Sequence, residues 1–212
     1  SESIYLDYQA TTPMAPEVFA VMEPWLKDNF WNPHSAHTGG RKAAAAVEAA
    51  REQVATLLPA GGRLIFTSGA TEALNIAIKG CRLPISALAT EHAAVLDCVE
   101  QVGGDTLSVG HDGICDTQYW ENGLAACMLV NNEIGTIQPI ANIADSVRGA
   151  GGLLLCDAVQ GFGRLALPDG PDMIAVSAHK IHGPKGIGAL WVRDGIGLEP
   201  LLHGGGQEQG LR

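Results

Sequence analysis

Along this chain, short runs of consecutive apolar residues alternate with longer stretches whose apolar positions recur at helical spacing. Leu64-Ile65-Phe66-Thr67 reads as a strand and Thr71 to Lys79 as a helix, Ile85 to Ala89 as a strand and Ala93 to Gln101 as a helix. Ala126 to Val130 is the next strand, followed by a helix from Ile140 to Ala150 that Gly151-Gly152 caps. Leu153 to Cys156, Met173 to Val176 and Gly188 to Val192 complete the strands. Upstream, Ile4-Tyr5-Leu6-Asp7 is a short strand-like piece. Pro16 suits the first turn of a helix running to about Asn29, and an alanine-rich helix spans Arg41 to Leu58 before Pro59-Ala60-Gly61-Gly62 stops it. Strands that are apolar throughout, rather than alternating, are buried on both faces. The pattern therefore predicts an α/β fold, a mostly parallel sheet sandwiched by helices.

Ligands in such sheets bind beyond the carboxyl ends of the strands. The segments that follow the predicted strands are Thr67-Ser68-Gly69-Ala70-Thr71-Glu72, Thr90-Glu91-His92, Asn131-Asn132-Glu133-Ile134-Gly135, Asp157-Ala158-Val159-Gln160 and Ser177-Ala178-His179-Lys180. Nearly every polar group capable of chemistry thus falls at one edge of the predicted sheet.

Composition narrows the partners. The 212 residues are 46% hydrophobic with 27 glycines, enough for one sizeable core with many tight strand-to-helix turns. Thirteen Lys plus Arg against 23 Asp plus Glu give a formal charge of −10, which argues against nucleic-acid binding and against a basic membrane-binding stripe. No apolar run is long enough to span a bilayer, and Ser1-Glu2-Ser3 opens no signal peptide, so a cytoplasmic location is expected. Cys81, Cys98, Cys115, Cys127 and Cys156 form no Cys-x-x-Cys pair, and their odd number argues against a disulfide framework. No zinc-ligand spacing is visible; His34 and His37 read as part of a polar loop, and no metal is expected.

The lysine segment carries the sharpest chemistry. A hydroxyl, an imidazole and an amine within Ser177 to Lys180 can hold a phosphate and capture an aldehyde, a combination that suggests a pyridoxal phosphate (PLP) lysine. Gly69-Ala70-Thr71 opens a helix, whose free amides would cradle an anion; an ordinary helix cap is the alternative. Asp157 ends an apolar strand, where a carboxylate needs a cation such as a protonated pyridine nitrogen, or else caps the turn before Gly161. Gln160 can bond a phenolic oxygen. His92 can stack on a ring or move protons, or simply start a helix at the surface. Asn132 can contact cofactor or substrate, or simply precede a turn.

These motifs resemble the NifS/IscS group of cysteine desulfurases, within the class V aminotransferase family of fold type I PLP enzymes. The matching stretches are Tyr5-Leu6-Asp7 with Ala10-Thr11-Thr12-Pro13, Asn32-Pro33-His34-Ser35, Phe66 to Glu72, Thr90-Glu91-His92 and Val130 to Gly135. They continue through Asp157 to Gln160, Ser177 to Gly188 and His203-Gly204-Gly205-Gly206-Gln207-Glu208. The resemblance implies that Lys180 carries the cofactor and that Asp157 faces the pyridine nitrogen. It also implies that Gln160 faces the phenolic oxygen, that His92 is ring stacker and acid/base, and that Asn132 lies on the substrate side. The helix start at Ala70 and Thr71, with Ser177 and His179, would hold the phosphate. It implies a transferase that takes sulfur from L-cysteine as an enzyme persulfide, releases L-alanine, and passes the sulfur to iron–sulfur scaffolds or other acceptors. Such enzymes are homodimers.

Members of the group are nearly twice as long, and this chain reaches Gly210-Leu211-Arg212 just before the group's Ser-Gly-Thr. The catalytic cysteine and the arginine that binds the substrate carboxylate lie further on in the group, and none of the five cysteines here matches that position. The expectation is a PLP-binding large domain over residues 15–212, incomplete at its C-terminus, preceded by residues 1–14 that would pack with a missing small C-terminal domain; such a piece alone would be inactive. The rivals are another class V enzyme, a selenocysteine lyase or an aminotransferase, and a non-catalytic α/β binding or assembly module.

Overall fold

In the computed structural model, which describes residues 3–116 and 120–212, the apolar runs from Leu64 onward become strands of one sheet. These are β1 (Gly62–Thr67), β2 (Ile85–Leu88), β3 (Asp105–Leu107), β4 (Leu124–Met128), β5 (Leu153–Asp157), β6 (Met173–Ser177) and β7 (Gly188–Arg193). The helices are α1 (Pro16–Lys27), α2 (Thr38–Ala55), α3 (Ala70–Cys81), α4 (Ala93–Val102) and α5 (Ile140–Gly149). The strand order is β1-β7-β6-β5-β4-β2-β3. Neighbours from β6 through β3 pair parallel, whereas β7 runs antiparallel to both β1 and β6.

Period-2 alternation along the strands divides the core between two faces. Leu64, Ala125, Cys127, Leu154, Cys156, Ile174, Val176 and Trp191 pack with α5 on one side. Ile65, Ala87, Leu124, Ala126, Leu155, Met173, Ala175 and Leu190 pack with α3 and α4 on the other. α5 turns Ile140, Ile143, Ala144 and Val147 inward, the i, i+3, i+4, i+7 stripe of an amphipathic helix. Both faces being covered, every residue of β4 and β6 is buried, which explains their unbroken apolar runs.

Several expectations shift. Ile4 to Asp7 is no strand: no neighbouring strand pairs with it, and Ile4 and Leu6 are 84% and 82% exposed. β3 is short and carries the polar Asp105 and Thr106, so its pattern gave no signal. The strand expected at Ala126–Val130 ends at Met128, the last residue in register with β5, opposite Asp157. α2 begins at Thr38 rather than Arg41 because His37 Nδ1 accepts the Gly40 amide proton at 3.1 Å. A Cβ on Gly40 would lie 2.1 Å from the Ser35 carbonyl oxygen, so only glycine lets that first turn pack here.

Upstream of α1 the chain is laced to the segment after β6. Thr12 N donates to the His179 carbonyl at 2.9 Å, His182 N to Thr12 Oγ1 at 2.8 Å, and Ala15 N to the His182 carbonyl at 2.9 Å. Of the proposed N-terminal segment, residues 1 and 2 lie outside the described residues.

Candidate active site

The alternation that builds the core also sets the site. Leu124 and Ala126, Leu155, and Met173 and Ala175 face α3 and α4, so Met128, Asp157 and Ser177 stand on that same side at the carboxyl ends of β4, β5 and β6. The loops leaving those strands, together with the starts of α3 and α4, enclose a cavity of about 600 Å³. All nine residues singled out from the sequence line it: Ala70, Thr71, His92, Asn132, Asp157, Gln160, Ser177, His179 and Lys180. Five separate strand ends therefore deliver their polar groups to one place.

Two buried carboxyls dominate the electrostatics. Asp157 is 6% exposed, and its Oδ1 accepts the Val159 amide proton at 3.0 Å. Burial raises its pKa above the usual carboxylate range, while that hydrogen bond, His92 and Lys180 pull the other way. No ion pair reaches Asp157 among the described residues. Glu91, also 6% exposed, is pushed up to about 8 by burial, with the Met128 hydrogen bond opposing and Asp157 adding to the rise. An uncompensated buried charge costs several kcal/mol, of order 3–5 where a partner has been taken away.

Opposite Asp157 lies an amine held ready. Lys180 follows β6 in a single 3-10 turn (Ala178–Lys180), and its Nζ donates to the Gln9 carbonyl. Burial lowers its pKa, Asp157 and Asp7 oppose, and Arg164 lowers it further, which moves the group toward the neutral amine that attacks carbonyls. Gln160 Nε2 donates to the same Gln9 carbonyl at 2.9 Å, and Arg164 braces the pair through Gln160 Oε1 (3.1 Å) and the Lys180 carbonyl (2.8 Å).

At the anion end, the amides of Ala70 and Thr71 begin α3 and have no carbonyl one turn back to receive them. A Cβ on Gly188 would lie 2.7 Å from the Gly69 backbone, so glycine in β7 is what allows the loop before α3 to pack so closely. Glu72, which also lines the cavity, accepts from Ser68 N (2.6 Å) and Arg212 (2.6 Å); burial raises its pKa but these bonds outweigh it, leaving it lowered. His179 Nδ1 pairs with Thr11 Oγ1 at 3.0 Å, and burial, then Lys180 and Lys185, lower its pKa, so the ring is neutral near pH 7. His92 caps α4 by accepting the Ala94 amide proton on Nδ1 at 3.0 Å, which leaves the proton of the neutral ring on Nε2.

Sequence reasoning missed three contributors. Lys185 lines the cavity, the Gln9 carbonyl tethers Lys180, and Glu91 is buried behind the site. Glu91 carried a readable signal: like Asp157 it is a carboxylate at the end of an apolar strand. The five cysteines are free; Cys98, Cys115, Cys127 and Cys156 are buried and Cys81 half-buried, and none lines the cavity. Burial pushes the thiols of Cys81 and Cys115 up to about 11, the opposite of an activated nucleophile.

An amine with lowered pKa, a buried carboxylate lacking a cation and a helix start with free amides fit a flat heterocycle bearing a cationic ring nitrogen, an aldehyde and a phosphate. The residues present thus suit PLP.

The model of the aminotransferase class-V family matches residues 4–210. The cysteine desulfurase IscS of Rickettsia rickettsii (strain Iowa) is 41% identical over 234 residues, covering 99% of this chain and 57% of that protein. A mitosomal cysteine desulfurase of Trachipleistophora hominis is 42% identical over 236 residues, covering 99% and 54%. Among solved structures, a NifS-like protein from Rickettsia africae ESF-5 superposes with a TM-score of 0.94 at 31% identity, covering all of this chain and 64% of that one. SspA in complex with cysteine gives 0.90 at 37% identity, covering 99% and 67%. The chain spans a little over half the length of the curated relatives it matches.

Proposed function

The chain belongs to the class-V aminotransferase family, a family of PLP enzymes, and on that footing we propose that it binds PLP for the desulfuration of L-cysteine to L-alanine. The observation that carries this reading is the buried, cation-less Asp157 sharing one cavity with the Lys180 amine and the open start of α3. The cysteine desulfurases among its relatives, and the neighbour solved with cysteine, favour this chemistry over transamination.

Bound there, PLP supplies an aldehyde that an amine can capture and a ring that withdraws electrons from a substrate's α-carbon. The chain's own residues do the rest. Lys180 would hold the cofactor through its aldehyde, and its amine would move the proton at the substrate's α-carbon. Asp157 holds the ring nitrogen protonated, and Gln160 donates to the phenolic oxygen. His92, which lines the cavity, would stack on the ring and offer its Nε2 for proton transfer. The amides of Ala70 and Thr71, with the Thr71 and Ser177 hydroxyls and the neutral His179 ring, bind the phosphate, and Asn132 faces the substrate. The thiol that receives sulfur is none of the five cysteines here, since all lie off the cavity with protonated sulfurs.

The reading extends to residues 15–212 as the PLP-binding domain, with residues 1–14 packing against further protein. It also extends to a cytoplasmic homodimer that hands sulfur to an iron–sulfur scaffold or another acceptor. Exposed apolar side chains on and around α1, which has no buried residue, support a covered surface there: Phe19, Val21, Leu26 and Phe30. No helix among the described residues is long and apolar enough to cross a membrane.

Borohydride reduction after PLP loading, followed by peptide mass mapping, tests the site. A pyridoxyl adduct on the Lys180 peptide, absent in Lys180→Ala, supports the reading; an unmodified Lys180 peptide overturns it. With L-cysteine added, these 212 residues on their own should release little sulfide, and robust release would contradict the exclusion of their cysteines.

A further inference from the structure

We propose that Glu91 is a positioning residue of this site: a buried carboxyl that keeps its proton, fastens the Thr90–His92 turn to β4, and so leaves Asp157 as the one of the two that carries charge. The sheet explains the first contact. β2 pairs with β4 only as far as Ala87 opposite Ala126, and the chain then turns away. Because Leu129 N bonds the Asp157 carbonyl on the β5 side, the Met128 amide points to the side that β2 has vacated. Glu91 Oε1 accepts that proton at 2.8 Å, standing in for the missing ladder carbonyl. Asn131 Nδ2 donates to the Thr90 carbonyl at 2.7 Å, and Glu91 N to the Leu88 carbonyl at 3.0 Å, so the turn carrying His92 is held from both strands.

The second oxygen decides the protonation state. Glu91 Oε2 is buried and has no hydrogen-bond partner among the described residues. Among the described residues, the groups that act on Glu91 or feel its charge are Asp157 from β5 and the thiols of Cys115, Cys127 and Cys156; no cation is among them and no ion pair there reaches Glu91. His92 and Lys180 act instead on Asp157. Two neighbouring buried carboxyls do not both ionise, and the one that lines the cavity takes the charge. A carboxylic acid with one oxygen unsatisfied is tolerable in such surroundings, whereas a carboxylate is not.

This rests on the role of Asp157 proposed above, and the test separates the two. Apo protein is prepared as wild type, Glu91→Gln and Glu91→Ala, and unfolded with urea between pH 5 and pH 8.5. Glu91 has a folded pKa above its unfolded value, so the stability it confers is present below the unfolded pKa and lost as pH climbs toward about 8. The folding constant of wild type should therefore fall about tenfold or more relative to Glu91→Gln across that range. Titrations independent of Glu91 are common to both chains and cancel, while Asp157 and the thiols that feel Glu91 enter the difference only through that coupling. Hydrogen exchange at the Met128 amide should stay slow in wild type and Glu91→Gln and quicken about tenfold in Glu91→Ala. PLP should bind Glu91→Gln within about threefold of wild type and Glu91→Ala about tenfold more weakly. Parallel stability profiles for wild type and Glu91→Gln, or Gln proving as damaging as Ala, overturn the proposal. If Glu91→Ala does not fold, the wild-type and Glu91→Gln pair decides alone. A wild-type chain that fails to bind PLP counts against the proposed function, while the apo measurements still decide Glu91.

Discussion

Asp172 and Asp157 stand at opposite ends of the same sheet and are treated in opposite ways. Asp172, just before β6, is answered entirely from within: Arg193 Nε lies 3.0 Å from Oδ1, and Leu154 N donates to Oδ2 at 2.8 Å. The same arginine also binds the Gly170 and Pro171 carbonyls. Asp157, at the other end of β5, is more deeply buried and, among the described residues, receives one backbone amide and no ion pair. Where this fold needs a carboxylate for its own integrity it supplies the counter-charge; where it does not, the partner comes from outside. Arg51 and Glu208 extend the first case. They pair at 2.8 Å, Glu208 also accepts the Phe66 amide proton at 2.8 Å, and the guanidinium lies over the Phe66 ring.

If that contrast is real, substitutions on the internally paired side should cost stability and spare cofactor binding. Arg193→Met strands Asp172 and should destabilise by about 2–3 kcal/mol in urea unfolding, discounted from a fully buried pair because Arg193 is partly exposed, with the PLP dissociation constant unchanged. Glu208→Gln keeps an acceptor but removes the charge facing Arg51, and about 1–2 kcal/mol should be lost. Asp157→Asn should do the reverse in the apo protein. Its folded pKa is raised, so the stability tied to its protonated form is present below the unfolded pKa and lost as pH rises through the folded one. Removing the ionisable group should leave apo stability at pH 5 nearly unchanged and raise it by about 1 kcal/mol at pH 8. As a baseline, the exposed pair Arg148–Asp145 should be worth about 0.5 kcal/mol or less, so Arg148→Ala should scarcely move the urea midpoint.

How much of this could be read from the residues follows the same division. Strand positions were legible because burial on both faces leaves β4 wholly apolar and β6 apolar up to its last residue, Ser177. The antiparallel direction of β7 was not, because an unbroken apolar run carries no direction. The segment 178–187 gave a clue, being too short for the helical crossover that a parallel return needs. Ile4 to Asp7 has strand composition but no neighbouring strand, and a pattern alone cannot supply one. In the site, Lys180, Asp157 and His92 were legible because each stands at or just beyond the carboxyl end of a strand. The Gln9 carbonyl was not, since its place beside Lys180 depends on the lacing of Thr12 and Ala15 to residues 179–182. Glu91 fell between: its position after a strand was visible, but that its second oxygen finds no hydrogen-bond partner among the described residues appears only once the strands are assembled.

The most direct test of the central claim is the PLP dissociation constant of Asp157→Asn, measured by absorbance titration beside Arg193→Met and wild type. The account predicts about thirtyfold or greater weakening for Asp157→Asn, equivalent to about 2 kcal/mol or more, and a change of less than about threefold for Arg193→Met. Wild-type affinity in Asp157→Asn would contradict it, because the carboxylate this fold leaves unanswered would then have nothing to do with the cofactor.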